Sequence, residues 1–311
     1  MDNFEIVVES SSDLSFELRK RFNIYNEYLK GVIYLPNNEL LADLDWNNIS
    51  SDQFYKIVKE KPGNVHTAFA TAEEFVRVIE PILQNGKDVL IFAMSSGMSG
   101  TYNAIKLNSQ MILDDYPERK IIVIDTLKYA LACGMLAIKA SMLREEGKTL
   151  QETADIINEL KYHLHEAGPM DDLRFLAASG RLSAPKAFFG QLIGVQPIAD
   201  FTYDGKNVPL GTLKGNDAAD EFVLHYMNEL GEDLSNQILF ISHSQRLERA
   251  LKYKKAIIER FHPKDVIIEE VGQSCGANIG PGLCCVYFFG KKITPERELE
   301  NKIFQEFKNK K

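Results

Sequence analysis

Four hydroxyl side chains crowd one short stretch of the chain, residues 88–101, which reads DVLIFAMSSGMSGT. Ser95, Ser96, Ser99 and Thr101 stand between an apolar run of strand length, residues 89–94, and Ala104, Leu107 and Met111, which recur at helical spacing. Strand therefore hands over to helix across residues 95–100. A helix leaves its first N–H groups unpaired and its positive dipole end exposed, so hydroxyls gathered there make a cup for an anion. Gly97 and Gly100 are expected to let the backbone turn tightly. A plain N-cap needs one hydroxyl, which leaves the second serine and Thr101 without a purpose.

The elements that must hold this loop alternate in type. Residues 4–8 read as a strand that stops at Glu9-Ser10-Ser11-Ser12-Asp13, and residues 14–22 resume a helical pattern. Residues 29–35 read as a strand and 45–59 as a helix opened by Ser50 with Gln53 in a capping box. Thr71 with Glu74 opens a helix carrying Phe75, Val78, Ile79 and Leu83, with the polar Thr67 just upstream. Residues 121–124 end at Asp125-Thr126, residues 131–143 form an apolar helix, and Thr149 with Glu152 caps the next one. Strands alternating with helices predict an α/β domain whose parallel sheet is covered on both faces. Loops at the carboxyl ends of such strands share a crevice, so residues 9–13, 95–101 and 125–126 should lie on one edge.

After Ala167-Gly168-Pro169 the pattern changes. Residues 173–176 lead to Ser179-Gly180-Arg181-Leu182-Ser183 and the apolar stretch 188–193; residues 197–203 and 208–213 flank Asp204-Gly205 as a hairpin. Strands at 238–242 and 266–271 bracket a helix at 247–261, and a last apolar run, 283–289, follows Gly280-Pro281-Gly282. The expected organisation is an α/β domain over residues 1–168 and an α+β domain over 169–311.

Composition narrows the function. With 311 residues, 45% of them hydrophobic, the chain can bury a sizeable core. A net charge of −8, with its one basic cluster at the solvated-looking end 308–311, argues against a nucleic-acid surface. The acidic start and the lack of any apolar run of spanning length predict a cytoplasmic protein without a membrane span. Cys133, Cys275, Cys284 and Cys285 show no CxxC spacing, so buried free thiols are expected rather than a metal or disulfide site.

Taken together, Ser10-Ser11-Ser12-Asp13 after the first strand, the SSGMSGT element at 95–101, Gly180-Arg181-Leu182-Ser183, the Asp-Gly hairpin and the late Gly280-Pro281-Gly282 occur in an order that resembles the DegV family over nearly the whole chain. The resemblance implies a two-domain fold with a long-chain fatty acid buried between the domains. It also implies a carrier without catalysis of its own: the fatty-acid-binding subunit of a bacterial fatty acid kinase, presenting the acyl carboxylate to an ATP-using catalytic subunit. The implied partners are that fatty acid, that catalytic subunit and, transiently, a membrane surface; no other cofactor and no metal is implied.

By position, Thr67, Ser95 and Ser96 match the family's carboxylate-binding hydroxyls and Arg181 its GRIS arginine. Ser11, Ser99 and Thr101 complete the ligand-binding set by their place in the loops, and Asn278 stands where the family carries a histidine. The chain also has Glu9 in place of the usual aspartate and Thr67-Ala68-Phe69-Ala70 in place of TSQP. Asn278 has a plainer alternative as a turn residue tolerant of left-handed backbone.

A buried carboxylate needs several donors, and here they are neutral O–H and N–H groups that suit an ionised or a protonated acid alike. Phe188, Phe189, Leu192 and Ile193 are candidates to line an acyl tail, or else plain core. Two alternatives stay open at this point, a binder of another amphiphilic carboxylate and a serine hydrolase, since Gly97-Met98-Ser99-Gly100-Thr101 misses G-x-S-x-G by one glycine. For the hydrolase no base is evident; His66, beside Thr67, is the one to test. A nucleotide loop fails for want of G-x-x-x-x-G-K-[ST].

Overall fold

The alternating apolar runs of the first half build a three-stranded parallel sheet in a computed structural model that describes residues 3–182 and 194–310. Its strands are β1 (Phe4–Val8), β5 (Asp88–Ala93) and β6 (Ile121–Asp125), in the order β1-β5-β6. The register sets Val8 beside Phe92 and Ala93 beside Asp125. All three carboxyl ends therefore reach the same edge.

Side chains alternate across a strand. Val7, Val89, Ile91 and Ala93 join a core with Phe75, Val78, Ile79 and Ile82 of the helix Ala72–Gln84 and Ile105 and Ile112 of the helix Thr101–Leu113. Leu90 and Phe92, out of phase with these, are fully buried on the other side, where the helices Ala130–Glu145 and Leu150–Leu160 pack. Burial on both faces explains why β5 is apolar at every position after Asp88 rather than alternating.

A small antiparallel sheet, in the order β3-β2-β4, holds β2 (Val32–Leu35), β3 (Asn38–Leu41) and β4 (His66–Ala68). The expected strand at 29–35 is thus shorter, and β3 was not foreseen: its four residues are exposed or half-buried, so no apolar face marked it. The helix expected from residue 45 begins at Ser51. Trp46 has φ +58°, which no right-handed helix admits, while the Ser50–Gln53 capping box forms as anticipated. Thr71 caps its helix through the Glu74 N–H at 3.2 Å, but the Glu74 carboxylate turns to the Lys30 N–H and to Arg77.

The third sheet has the order β11-β10-β12-β7-β8-β9, with β7 (Leu164–Pro169), β8 (Val195–Phe201), β9 (Asn207–Lys214), β10 (Ile238–His243), β11 (Asp265–Glu270) and β12 (Cys284–Phe289). Among its described strands only β10 and β11 pair in parallel. The hairpin β8–β9 turns through Gly205 at φ +74°. Phe222 and Tyr226 of the helix Asn216–Leu230 pack with Phe288, Phe304 and Phe307. Residues 308–309, read as a solvated end, close the helix Glu298–Asn309, which sequence reading passed over although Ile303, Phe304 and Phe307 give it a buried face.

The chain divides into two compact units, one of Met1–Phe54, Val65–Lys161 and Gly272–Cys275, the other of Tyr55–Asn64, Tyr162–Val271 and Gly276–Lys311. The four cysteines are buried free thiols. Phe188, Phe189, Leu192 and Ile193, the tail-lining candidates, lie outside the described residues.

Candidate functional site

At the carboxyl edge of the parallel sheet three loops are tied to one another. The Met94 N–H donates to Glu9 Oε1 at 3.2 Å, joining the first loop to the second. Thr126 Oγ1 donates to the Ala93 carbonyl at 2.8 Å and the Ser95 N–H to the Lys128 carbonyl at 2.8 Å, joining the second to the third. Loops 9–13, 95–101 and 125–126 thus share an edge as their position after parallel strands requires.

The serine loop is organised differently from a bare cup of hydroxyls. Ser95 is fully buried, and its Oγ accepts the Gly97 N–H at 3.1 Å while its carbonyl accepts the N–H groups of Met98 and Ser99. Ser96 is exposed, with its N–H on Asp125 Oδ1 at 3.1 Å and its hydroxyl on Asp125 Oδ2 at 2.5 Å. Ser99 Oγ accepts the Thr101 N–H at 3.3 Å and shares a hydrogen with Thr101 Oγ1 at 2.8 Å, so Ser99 rather than Gly100 satisfies the helix start. Neither Gly97 nor Gly100 has a positive φ, contrary to the expectation of a glycine-dependent turn, and a Cβ on Gly100 would meet the Phe69 ring at 3.5 Å, an ordinary contact. Phe69 brings the segment carrying Thr67, half-buried on β4 opposite Ile33, up to the serine loop. The partner of the Ser99 hydroxyl is Thr101 rather than an imidazole, which removes support from the hydrolase reading.

Beneath these loops lies a buried polar layer. Glu9 accepts the Ser11 N–H at 2.8 Å and the Ser11 hydroxyl, and Ser11 is itself buried. Burial pushes the Glu9 carboxyl up from its usual range against the opposing effect of the Ser11 and Met94 donors. Burial likewise pushes the Cys133 and Cys275 thiols well up, and the charges of Glu9 and Asp13 add to it. Gly134 lets the helix Ala130–Glu145 press on this layer, since a Cβ there would stand 2.5 Å from the Ser12 carbonyl.

Two contributors were not foreseen. Residues 272–275 belong to this unit, where the Gly272 N–H donates to Asp13 Oδ1 at 3.0 Å, Ser274 Oγ to Ser10 Oγ at 2.9 Å and Cys275 Sγ to the Ser11 carbonyl at 3.6 Å. No local pattern could pair positions some 260 apart in sequence. Lys128 is 1% exposed. Its signal was available: a lysine directly after a strand-end loop and two positions before a largely apolar helix.

Lys161 completes the edge, its ammonium donating to the Asp125 carbonyl at 2.8 Å and to Asn158 Oδ1 at 3.0 Å. Burial lowers its pKa while Asp125 acts the other way.

Arg181 and Asn278 belong to the second unit. Arg181 follows Gly180, at φ +71°, after the short helix Arg174–Ala178, and its guanidinium donates to the Ser179 carbonyl. Asn278 lies within the helix Gln273–Ile279 and not in a left-handed turn, which removes its plainer alternative. Among the described residues no group of His, Cys, Asp and Glu is placed to hold a metal, and no helix is long and apolar enough to cross a membrane. What the edge offers is a set of hydroxyls and backbone N–H groups, with the Asp125 carboxylate and the Lys161 ammonium beside them, that can orient a polar head group.

Residues 3–291 match the model of the DegV family. A DegV domain-containing protein of Streptococcus pyogenes serotype M3 is 29% identical over 289 residues, 93% of this chain and 98% of its own length. Among solved structures, a fatty-acid-binding DegV family protein of Thermus thermophilus is similar with a TM-score of 0.83 and 23% identity, over 93% of this chain and 100% of that one. A DegV family protein of Eubacterium eligens loaded with heptadecanoic acid has a TM-score of 0.81 and 20% identity, over 93% and 100%.

Proposed function

Because the chain belongs to the DegV family, we propose that it binds a long-chain fatty acid and presents the carboxyl group to a separate ATP-dependent kinase subunit. The observation that carries this reading is the convergence of three hydroxyl-bearing loops on one sheet edge, in a fold whose solved relatives hold fatty acids. In this reading Ser95, Ser96, Ser99, Thr101, Thr67 and Ser11 form the polar surround of the head group. Arg181 is a contact for an acidic surface of the kinase subunit.

The division of labour follows from magnitudes. At about 0.8 kcal/mol per buried methylene, a tail of about fourteen methylenes supplies on the order of 10 kcal/mol, against about 1–3 for one charge-assisted hydrogen bond. The tail binds, and the hydroxyls orient. Another amphiphilic carboxylate would use the same donors and remains the second reading. Organic extraction of the purified protein followed by mass spectrometry distinguishes them, with a C16–C18 acid at about one per chain expected. The kinase role is tested by adding an ATP-dependent catalytic subunit and following acyl-phosphate formation. An empty protein that takes up neither palmitate nor oleate overturns the binding reading, and turnover of ATP by the isolated chain overturns the carrier role.

A further inference from the structure

We propose that Asp125 selects against an anionic head group at Ser96, so that the group admitted there is a hydrogen-bond donor, either a protonated carboxyl or an alcohol. The inference rests on the fatty-acid reading above and concerns the chemical form in which the head group is held.

Asp125 ends β6 beside Ala93, three positions before Ser96, and the parallel register fixes it under the serine loop. Its Oδ1 accepts the N–H groups of Ser96 and Leu127, at 3.1 and 3.3 Å. Those two bonds already staple the loop. The third bond, from the Ser96 hydroxyl to Oδ2 at 2.5 Å, does something else. A serine hydroxyl has one proton and two lone pairs, and here the proton is committed to a carboxylate. What the exposed Ser96 then shows to a ligand is lone pairs. A ligand carboxylate approaching the same oxygen would find no donor and would stand next to a like charge, which disfavours its ionised form. A protonated carboxyl or an alcohol would donate to Ser96 and extend the chain of hydrogen bonds to Asp125. The Lys161 ammonium donates to the Asp125 backbone oxygen and to Asn158, and the Asp125 charge acts on it as well, while the Asp125 side chain keeps the Ser96 hydroxyl on Oδ2.

The test compares two probes of equal chain length on delipidated full-length protein at neutral pH, palmitic acid and hexadecanol. Asp125→Asn keeps the shape but removes the charge, and should raise the affinity for palmitate relative to hexadecanol about tenfold, the scale of one local charge–charge effect. Loss of a purely structural staple would weaken both probes alike, so an unchanged ratio overturns the inference. Should the Asn variant fail to fold, Ser96→Ala at this exposed position reads the same question. It should cost hexadecanol about tenfold and palmitate about threefold at most, and equal losses overturn the proposal. A parent protein that binds neither probe overturns the fatty-acid reading and this inference with it, whereas a parent that binds both with a ratio the variants do not move overturns this inference alone.

Discussion

Each unit of this protein buries a carboxylate, Glu9 in the first and Asp200 in the second, and the two are treated in opposite ways. Glu9, under the loops of the first unit, is met by a hydroxyl and two backbone N–H groups, all uncharged. Asp200, inside the second unit, accepts the Glu166 and Phe201 N–H groups and the Tyr226 hydroxyl, with the Arg297 guanidinium at 3.5 Å and the His165 ring at 3.8 Å. Burial raises both. At Glu9 it wins; at Asp200 the His165 ring, the Arg297 guanidinium and the Tyr226 hydroxyl more than offset it and bring the carboxyl down to about 2. Neutral donors can satisfy a buried acid without keeping it ionised, whereas a cation in the same layer keeps the charge. The second arrangement clamps Arg297, and with it the start of the helix Glu298–Asn309, onto the sheet. The first leaves a polar layer beneath the candidate site that is biased toward its neutral form.

The hardest way to break the comparison is Asp200→Ala, which leaves the Arg297 guanidinium buried without its counter-charge. The second unit should lose about 3–5 kcal/mol, read as a fall in its urea midpoint; a loss near zero would mean the cluster is not under load. Glu9→Ala should cost less, about 1–3 kcal/mol, because it strands neutral donors rather than a charge, and Glu9→Gln should recover most of that.

The pH dependences have opposite signs. Glu9 has a folded-state pKa raised above 4.5, so its favourable contribution is complete below 4.5 and is lost as pH climbs through the folded value; Glu9→Gln should therefore gain on the parent as pH rises. Asp200 contributes above 3.8 and loses that contribution as pH falls toward about 2, an effect of about 2 kcal/mol that Asp200→Asn should abolish. Melting curves of both variants from acid to neutral pH check the two signs together. The smallest effect concerns one hydroxyl in each unit, Ser12 Oγ and Ser242 Oγ, both buried without a hydrogen-bond partner. Ser12→Ala and Ser242→Ala should each be neutral or stabilising by up to about 1 kcal/mol, in contrast to Ser11→Ala, which removes a donor from Glu9.

Much of this was open to reading in one dimension. The run 88–101 announced strand, loop and helix because apolar period and hydroxyl-rich loops are local properties, and the capping boxes at Ser50 and Thr149 formed as their spacing required. Parallel alternation then placed three loops on one edge. The strand Asn38–Leu41 escaped because an exposed edge strand needs no apolar face, and the start of the helix at Ser51 escaped because a single left-handed Trp46 leaves no trace in composition.

The chain by itself determined most of the strands and helices of the first unit, that the serine loop stands at a helix start, and that the family is DegV, since these follow from neighbours within a few residues or from motifs in order. Only the tertiary structure decided what each polar group meets. Ser96 reads as a free donor until Asp125, 29 residues later, accepts its hydroxyl hydrogen bond, and Asp13 has no visible partner in the sequence until Gly272 arrives from 259 residues away. Burial is a property of the whole fold, and it is burial that separates Glu9 from Asp200: sequence names the ionisable group, while the partners that the fold delivers set whether its charge survives.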